Sequence, residues 1–393
     1  MSREVFILSY ARTPIGSFQG VLKDISAPKL GAVAIKGALA DGGISSDSIE
    51  EVIMGNVLSA GLGQSPARQA SIYAGIPEKA ESLTINKMCG SGLKAIMLGS
   101  QSIASGDIDV VVAGGMESMS NTPYYLPKGR GGYRLGHGQV LDGIINDGLW
   151  DVYNDKHMGN CAEICADKFS FTREQQDAYA IESYKRAVTA IDSGAFKNEI
   201  VPVEIPQRKG NPKIIYNDEE PFRGMPDKFP KLRPAFQKDG TITAANASSI
   251  NDGAAACVLI SGEKAKELGL KPKFKIVSHG SVAQNPEWFT TAPVKAMRVV
   301  LNKAGLDVNN IDLFEVNEAF AVVAMAAIKE FNLDSKKVNV NGGAVSIGHP
   351  IGASGSRILV TLMNALTSQN LPRGMASICI GGGEASAMII EKY

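Results

Sequence analysis

A chain of 393 residues with 44% hydrophobic content can bury a large core, and its length suggests two or three domains. Forty basic residues balance forty acidic ones, which excludes an overall field for nucleic acid or an anionic membrane surface. Five cysteines, an odd number, argue against a disulfide framework and for a reducing, cytoplasmic compartment, so each is either core filler or reagent.

In chain order, Met1 to Tyr10 lead straight into a strand-like segment with no apolar or Arg-rich leader. No stretch reaches the roughly 18 to 20 apolar residues of a membrane span, and Glu391-Lys392-Tyr393 is no peroxisomal signal. Ser26 and Pro28 open a helix with Leu30, Val33, Ala34 and Ala38 on one face; Gly42-Gly43 stop it, and Val52-Ile53-Met54 follows as a strand. The unit recurs. Ala34, Leu39, Gly43, Ile44 and Ile49 match Ala296, Leu301, Gly305, Leu306 and Ile311 at one constant offset, and Val110 to Gly115 matches Ala376 to Gly382, which indicates an internal duplication. Helices alternating with short Val/Ile-rich strands predict two related α/β halves with largely parallel sheets buried on both faces.

Half of the chain's 18 prolines fall between 120 and 248, which predicts an irregular inserted lobe. It contains one clear helix, with a capping box at Thr172 and Gln175, an apolar stripe of Ala178, Ile181, Tyr184, Val188 and Ile191, and a stop at Ser193-Gly194. The expected division is an N-terminal α/β half (1–119, completed by 249–271), a loop domain (120–248) and a C-terminal α/β half (272–393).

Four constellations can carry chemistry. Cys89, in Asn86-Lys87-Met88-Cys89-Gly90-Ser91-Gly92, follows a strand and opens a helix, where unpaired N–H groups and the positive dipole end favour thiolate. The alternative is a small packed residue. His349 stands in a glycine-rich turn from Asn341 to Gly355, either as a group approaching an acyl oxygen or phosphate or as a plain solvated histidine. Cys379 ends a buried strand where Gly381-Gly382-Gly383 turn the chain, and active sites of open α/β sheets gather at such ends. The spacing does not fit Gly-x-Gly-x-x-Gly, which disfavours a dinucleotide-binding dehydrogenase. Asn317 and Glu318 follow a further strand; an amide there could hold a water or a carbonyl oxygen, but a helix N-cap is the better reading of the local sequence. Cys161 and Cys165, four apart on a helix, lack a second pair for metal, so no metal site is expected, and with Cys257 they read as core.

Taken together, Cys-Gly-Ser-Gly at 89, Asn-Glu-Ala-Phe at 317, Gly-His-Pro at 348 and Cys-Ile-Gly-Gly-Gly at 379 are similar, in order, to the catalytic blocks of thiolases. The likeness extends to Ala-Arg-Thr-Pro-Ile-Gly from Ala11, Gly-Gln-Ser-Pro-Ala-Arg-Gln from Gly63, Ala-Gly-Gly-Met-Glu-Ser from Ala113 and Asn-Ala-Ser-Ser-Ile-Asn-Asp-Gly-Ala-Ala from Asn246. The resemblance implies the thiolase fold, with two mixed five-stranded sheets in a layered αβαβα core plus a loop domain, assembled as a homotetramer of two tight dimers. It implies an acyltransferase of lipid metabolism that condenses two acetyl-CoA to acetoacetyl-CoA and CoA through an acetyl-Cys89 intermediate, with CoA thioesters as substrates and no prosthetic group. By the same resemblance His349 activates Cys89, and Cys379 shuttles a proton at the α-carbon or thiol. An enolate oxyanion hole would be formed by His349 and a water on Asn317, and a thioester oxyanion hole by the N–H groups of Cys89 and Gly381. CoA would bind on the loop lobe around Leu149, His157, Met158, Arg223 and Ser248, with His157-Met158 like the short-chain biosynthetic subgroup. The alternatives are a broad-range 3-ketoacyl-CoA thiolase of fatty-acid degradation and a thiolase-like acyl-CoA-binding protein without turnover. Ala385, where many relatives carry glycine, adds only a methyl group.

Overall fold

The fold is described from a computed structural model covering residues 3–393, so Met1 and Ser2 of the N-terminal run lie outside the described residues. Strand β1 (Val5–Arg12) is followed by the short β2 (Gly16–Ser17), then α1 (Ala27–Gly42), β3 (Glu51–Gly55), α2 (Pro66–Tyr73), β4 (Glu81–Ile85), α3 (Ser91–Ser105) and β5 (Val110–Ser118). Between 119 and 250 the strands are confined to two-stranded ribbons: β6 (Tyr124–Tyr125) with β7 (Leu141–Asp142), β8 (Trp150–Asp151) with β9 (Lys156–His157), and β10 (Val203–Ile205) with β11 (Lys213–Ile215). Helices α4 (Met158–Phe169) and α5 (Arg173–Asp192) lie in the same stretch. The chain continues with β12 (Asn251–Ser261), α6 (Gly262–Glu267), β13 (Phe274–Ala283), α7 (Ala292–Ala304), β14 (Leu313–Val316), α8 (Ala321–Phe331), α9 (Ala344–Ile347), α10 (Ile351–Ser368), β15 (Arg373–Ile380) and β16 (Glu384–Lys392).

The repeated helix-and-stop unit is real at the level of hydrogen bonds. α1 and α7 each end on a left-handed glycine, Gly43 at φ 58° and Gly305 at φ 64°. In both, the glycine and the residue after it donate back to the helix's last turn, Gly43 to Ala40 and Ile44 to Leu39, Gly305 to Asn302 and Leu306 to Leu301. This pair of hydrogen bonds closes helices whose next residue must turn sharply, and glycine adopts the required φ without strain.

The strands run in the order β14-β15-β16-β13-β1-β12-β5-β3-β4. This order is a palindrome of the two halves, with β13, β16, β15 and β14 standing where β1, β12, β5 and β3 stand in the first. The halves join through a short antiparallel seam, Phe6 with Lys275 and Ile7 with Phe274, into one mixed sheet rather than two free ones. In the C-terminal half the fifth position is held only by an isolated parallel bridge between Phe314 and Val338. The expectation of largely parallel pairing is corrected. β3 pairs parallel with β4 and β5, and β14 with β15, whereas β1·β12, β5·β12, β13·β16 and β15·β16 are antiparallel. Helical crossovers enforce parallel pairing only where they occur; β12 and β16 arrive by other connections.

Both sheet faces are covered, which is why the strands are apolar without alternation. Val110 and Val112 of β5 face a cluster with α1 and α2, whereas Val111 and Ala113 face one with α3 and α10. In the C-terminal half Met375 and Cys379 of β15 turn toward α7 and α8, and Ala376 and Ile378 toward α10. The sheet thus doubles over α3 and α10, giving five layers. α10 is buried from Ile351 to Leu366. Its approach to α3 requires glycine, since a Cβ on Gly92 would stand 2.8 Å from the Ser356 backbone nitrogen and one on Gly355 only 2.5 Å from that of Leu93.

Helix α5 carries the expected capping box, but its buried face is not the expected stripe. Ala178 is exposed, while Gln176, Asp177, Ala180, Ser183, Tyr184, Ala187 and Ala190 are buried. The helix is rotated because its inner face is tied by polar groups: Asp177 takes hydrogen bonds from Arg173 and Asn246, and Ser183 donates to Glu318. A buried hydrogen-bonded polar residue costs little, so apolar periodicity mislocates the face.

Candidate active site

Cys89 and His349 are brought together by the packing of α3 against α10. Each stands one residue before its helix's N-cap, Gly90 for α3 and Pro350 for α10. The turn before α3 is tight and strained. Met88 has φ 46°, its N–H bonds Asn86 Oδ1 at 2.9 Å, and its carbonyl accepts from Ser91 Oγ at 2.6 Å. Non-glycine residues in this region cost about 1–3 kcal/mol and are retained where the surroundings over-determine them. His349 is fixed by its own backbone: its N–H donates to Asn251 Oδ1 at 2.8 Å, and Gly348 at φ 114° lets that side chain approach.

Both residues line a cavity of about 230 Å³, together with Leu149, His157, Met158, Ser248 and Gly381. The remaining wall is largely apolar, from Met119, Ile250, Ile351 and the aromatics Phe236, Phe289 and Phe320. Phe236 stacks on His157 at 4.7 Å and meets Phe320 edge-on at 6.1 Å. Larger clefts of about 570 and 590 Å³ elsewhere contain no cysteine or histidine in their walls. Arg223 is not brought to this cavity. It is more than half exposed and lies 3.8 Å from Glu219.

The expected thiolate at Cys89 is corrected. Burial against the apolar wall pushes its thiol up to about 11, outweighing the N–H groups of Gly381 and of Cys89 itself, which reach the sulfur and act in the opposite direction. At neutral pH the resting group is a thiol that needs a base. The helix dipole is a fraction of a unit charge, and desolvation exceeds it here.

His349 is buried and neutral, held down to about 3 by burial and then by the Arg357 charge. The solvated-histidine reading is thereby excluded. Its Nδ1 lies 2.6 Å from Ser354 Oγ, and its Nε2 has no partner. Cys379 is fully buried behind the cavity wall at the end of β15, its thiol raised first by burial and next by its proximity to Cys89; the Ala319 N–H lowers it.

Asn317 does not cap a helix, because α8 begins at Ala321 with Phe320 as its N-cap. It is 1% exposed, and neither Oδ1 nor Nδ2 has a partner, a rare condition for a buried amide. Its neighbour Glu318 is fully engaged, accepting from Tyr179, Ser183, Asn339 and the Val345 N–H. Glu318 anchors the segment and Asn317 is left free.

Sequence reasoning did not single out Glu117, Asn251 or Ser354. Glu117 is buried beneath α10 and accepts from Asn56 Nδ2 at 2.7 Å and from the N–H groups of Val57, Leu58 and Gly352. Burial still raises its carboxyl to about 7. The only local signal was a carboxylate inside an otherwise uncharged strand, Val110 to Ser118. The aromatic wall had none, as Phe236 and Phe289 sit in segments without periodicity.

Comparison with known proteins gives the family. The family model for the thiolase N-terminal domain matches residues 5–263 and that for the thiolase C-terminal domain residues 270–392. The chain is 54% identical over 392 residues to acetyl-CoA acetyltransferase 2 of Arabidopsis thaliana, covering 99% of this chain and 97% of the relative. It is 50% identical to the acetyl-CoA acetyltransferase of Schizosaccharomyces pombe over the full length of both. A crystal structure of a thiolase from Ascaris suum in complex with coenzyme A superposes over 100% of both chains with a TM-score of 0.95 at 51% identity. With two matching domain models, full-length relatives and a shared fold, the chain belongs to the thiolase family.

Proposed function

We propose that the chain is an acetyl-CoA acetyltransferase that condenses two acetyl-CoA to acetoacetyl-CoA and CoA, reversibly. The observation that carries this is a protonated thiol, Cys89, in a small apolar cavity, reached by two backbone N–H groups and facing a cavity shared with an unpartnered imidazole nitrogen. His349 Nε2 takes the Cys89 proton, and the thiolate attacks the acetyl carbonyl, whose oxyanion is met by the N–H groups of Cys89 and Gly381. The departing CoA thiolate takes its proton from Cys379. Cys379, now a thiolate, removes the α-proton of the second acetyl-CoA. The enolate oxygen is met by Nε2–H of His349 and a water on the free amide of Asn317. The enolate attacks acetyl-Cys89, acetoacetyl-CoA forms, and the released Cys89 thiolate recovers its proton from His349. No prosthetic group is needed, since the thioester itself acidifies the α-carbon.

The narrow cavity walled by Leu149, Met158, Phe236, Phe289 and Phe320 supports a short acyl group over a long one. Leu149, His157, Met158 and Ser248 would contact pantetheine, with 120–248 as the CoA-binding loop domain between the halves 1–119 with 249–271 and 272–393; Arg223 would meet the nucleotide end outside the cavity. Five free cysteines support a reducing, cytoplasmic location. Among the described residues no helix is long and apolar enough to cross a membrane. A homotetramer is supported by the family and by β4, an edge strand with Leu83 43% exposed. The test is thiolysis of 3-ketoacyl-CoAs across chain lengths, with mass spectrometry for acetyl-Cys89. Acetoacetyl-CoA should be the preferred substrate, and Cys89→Ala should lose at least about 10⁴-fold in kcat. Equal turnover of C8 to C16 substrates would overturn the short-chain assignment, and absence of the acetyl adduct would overturn the covalent one.

A further inference from the structure

The imidazole of His349 is held asymmetrically, and the asymmetry specifies its tautomer. Nδ1 lies 2.6 Å from Ser354 Oγ, while the same Oγ lies 2.9 Å from the Pro350 carbonyl oxygen, one turn back along α10. A serine hydroxyl has a single proton. Given to the Pro350 carbonyl, the common back-bond of serine in a helix, it leaves Oγ only lone pairs to offer the ring. Nδ1 must then carry the N–H, and Nε2 the lone pair. Nε2 is the ring atom without a partner, in a residue that lines the cavity with Cys89. Ser354 is itself fully buried, so no water competes for its hydroxyl.

We propose that Ser354 is a positioning residue that selects the Nδ1–H tautomer of His349 and so presents a free Nε2 lone pair to the Cys89 thiol. The inference rests on the reading of His349 as the base for Cys89. The proton account closes in both directions. The Cys89 S–H proton moves to Nε2, producing an imidazolium whose Nδ1–H still points at Ser354 and whose new Nε2–H can donate to the enolate oxygen. When Cys89 leaves the product it recovers the proton from Nε2, and the ring returns to the tautomer that Ser354 holds. One serine therefore serves both roles of the imidazole without any ring rotation, because Nδ1–H is a constant and only Nε2 changes.

The chain has only four histidines, so ¹⁵N-histidine labelling gives a spectrum in which His349 is assigned by its loss in His349→Asn. The expected result for the full-length protein is Nδ1–H with an unprotonated Nε2. In Ser354→Ala the tautomers should mix, and alkylation of Cys89 by iodoacetamide between pH 6 and 8 should slow by roughly 10- to 100-fold, at or below the lower end of what a positioned base supplies, since the base is mispositioned rather than removed. Ser354→Thr, which keeps the hydroxyl, should restore both, whereas a purely structural serine would not move the tautomer. A wild-type spectrum with Nε2–H, or alkylation of Ser354→Ala at the wild-type rate, overturns the proposal. If Ser354→Ala does not fold, the wild-type spectrum decides alone. Failure of the underlying reading shows separately: His349→Ala would then alkylate at Cys89 as fast as the wild type.

Discussion

The two halves carry the same asparagine to two different fates. Asn56 follows β3 and Asn317 follows β14, the strand in the matching place of the second half. Asn56 Nδ2 is bonded to Glu117 at 2.7 Å and to the Met116 carbonyl at 3.2 Å. Asn317 has no carboxylate beside its amide, and both its polar atoms are unpartnered. The central helices of the two halves diverge likewise, since α3 is preceded by a thiol and α10 by an imidazole. Duplication supplied two equivalent strand ends and two equivalent helix starts. The Nδ2 donor of one asparagine became a strut, its Oδ1 remaining unpartnered, and the other amide was left unpartnered at both atoms, a capacity that only a ligand or water can use.

The comparison breaks most visibly on substitution of the asparagines. Asn317→Ala should lower kcat by about 10² to 10³-fold, as for removal of one oxyanion donor, with little change in melting temperature. Asn56→Ala should do the reverse, costing about 1–3 kcal/mol of stability by removing one of the four donors that hold the buried Glu117, with a smaller effect on the chemistry per folded molecule. Paired thermal melts and steady-state kinetics measure both, and a stability loss at Asn317 equal to that at Asn56 would make the two amides alike.

A subtler effect concerns Glu117, which Asn56 helps to hold. Its carboxyl is raised to about 7 in the fold, above its ordinary value of 4.5. The folded state therefore binds a proton that the unfolded state releases between pH 4.5 and 7, so this group's contribution is full below 4.5 and is lost as pH rises toward 7. Glu117→Gln should be least stable relative to wild type at pH 5, with the gap narrowing by pH 7.5. Melts at a series of pH values test this, and a gap independent of pH would show that Glu117 does not titrate in that window.

The smallest effect lies in the lobe between the halves. Thr172→Ala removes one arm of the capping box of α5 and should cost about 1 kcal/mol, visible in denaturant unfolding, with kcat unchanged. A loss of activity at constant stability would mean that α5 communicates with the site through Ser183 and Glu318.

Much of the architecture was legible in local patterns. The capping box at Thr172, the left-handed stops at Gly43 and Gly305, and the offset between halves are all written in residues that act on their near neighbours. Elsewhere the local pattern misled for identifiable reasons. Asn317 looked like a cap because nothing nearby shows that α8 starts at Ala321. The face of α5 was misread because Asp177 and Ser183 are buried against partners 69 and 135 residues away. The antiparallel strands were missed because alternation of helix and strand says how a segment is built, not how its neighbour arrives.

By itself the sequence determined which groups are available for chemistry, two cysteines and a histidine in glycine-rich turns at strand ends and helix starts, since those features depend on residue type and adjacent backbone. Only the tertiary structure decided their chemical states. Burial in the cavity wall makes Cys89 a thiol rather than a thiolate, and burial followed by the Arg357 charge keeps His349 neutral, with Nδ1 at Ser354 and Nε2 without a partner. Protonation depends on how much water and charge surround a group, and the residues that exclude the water here come from segments far apart in the chain.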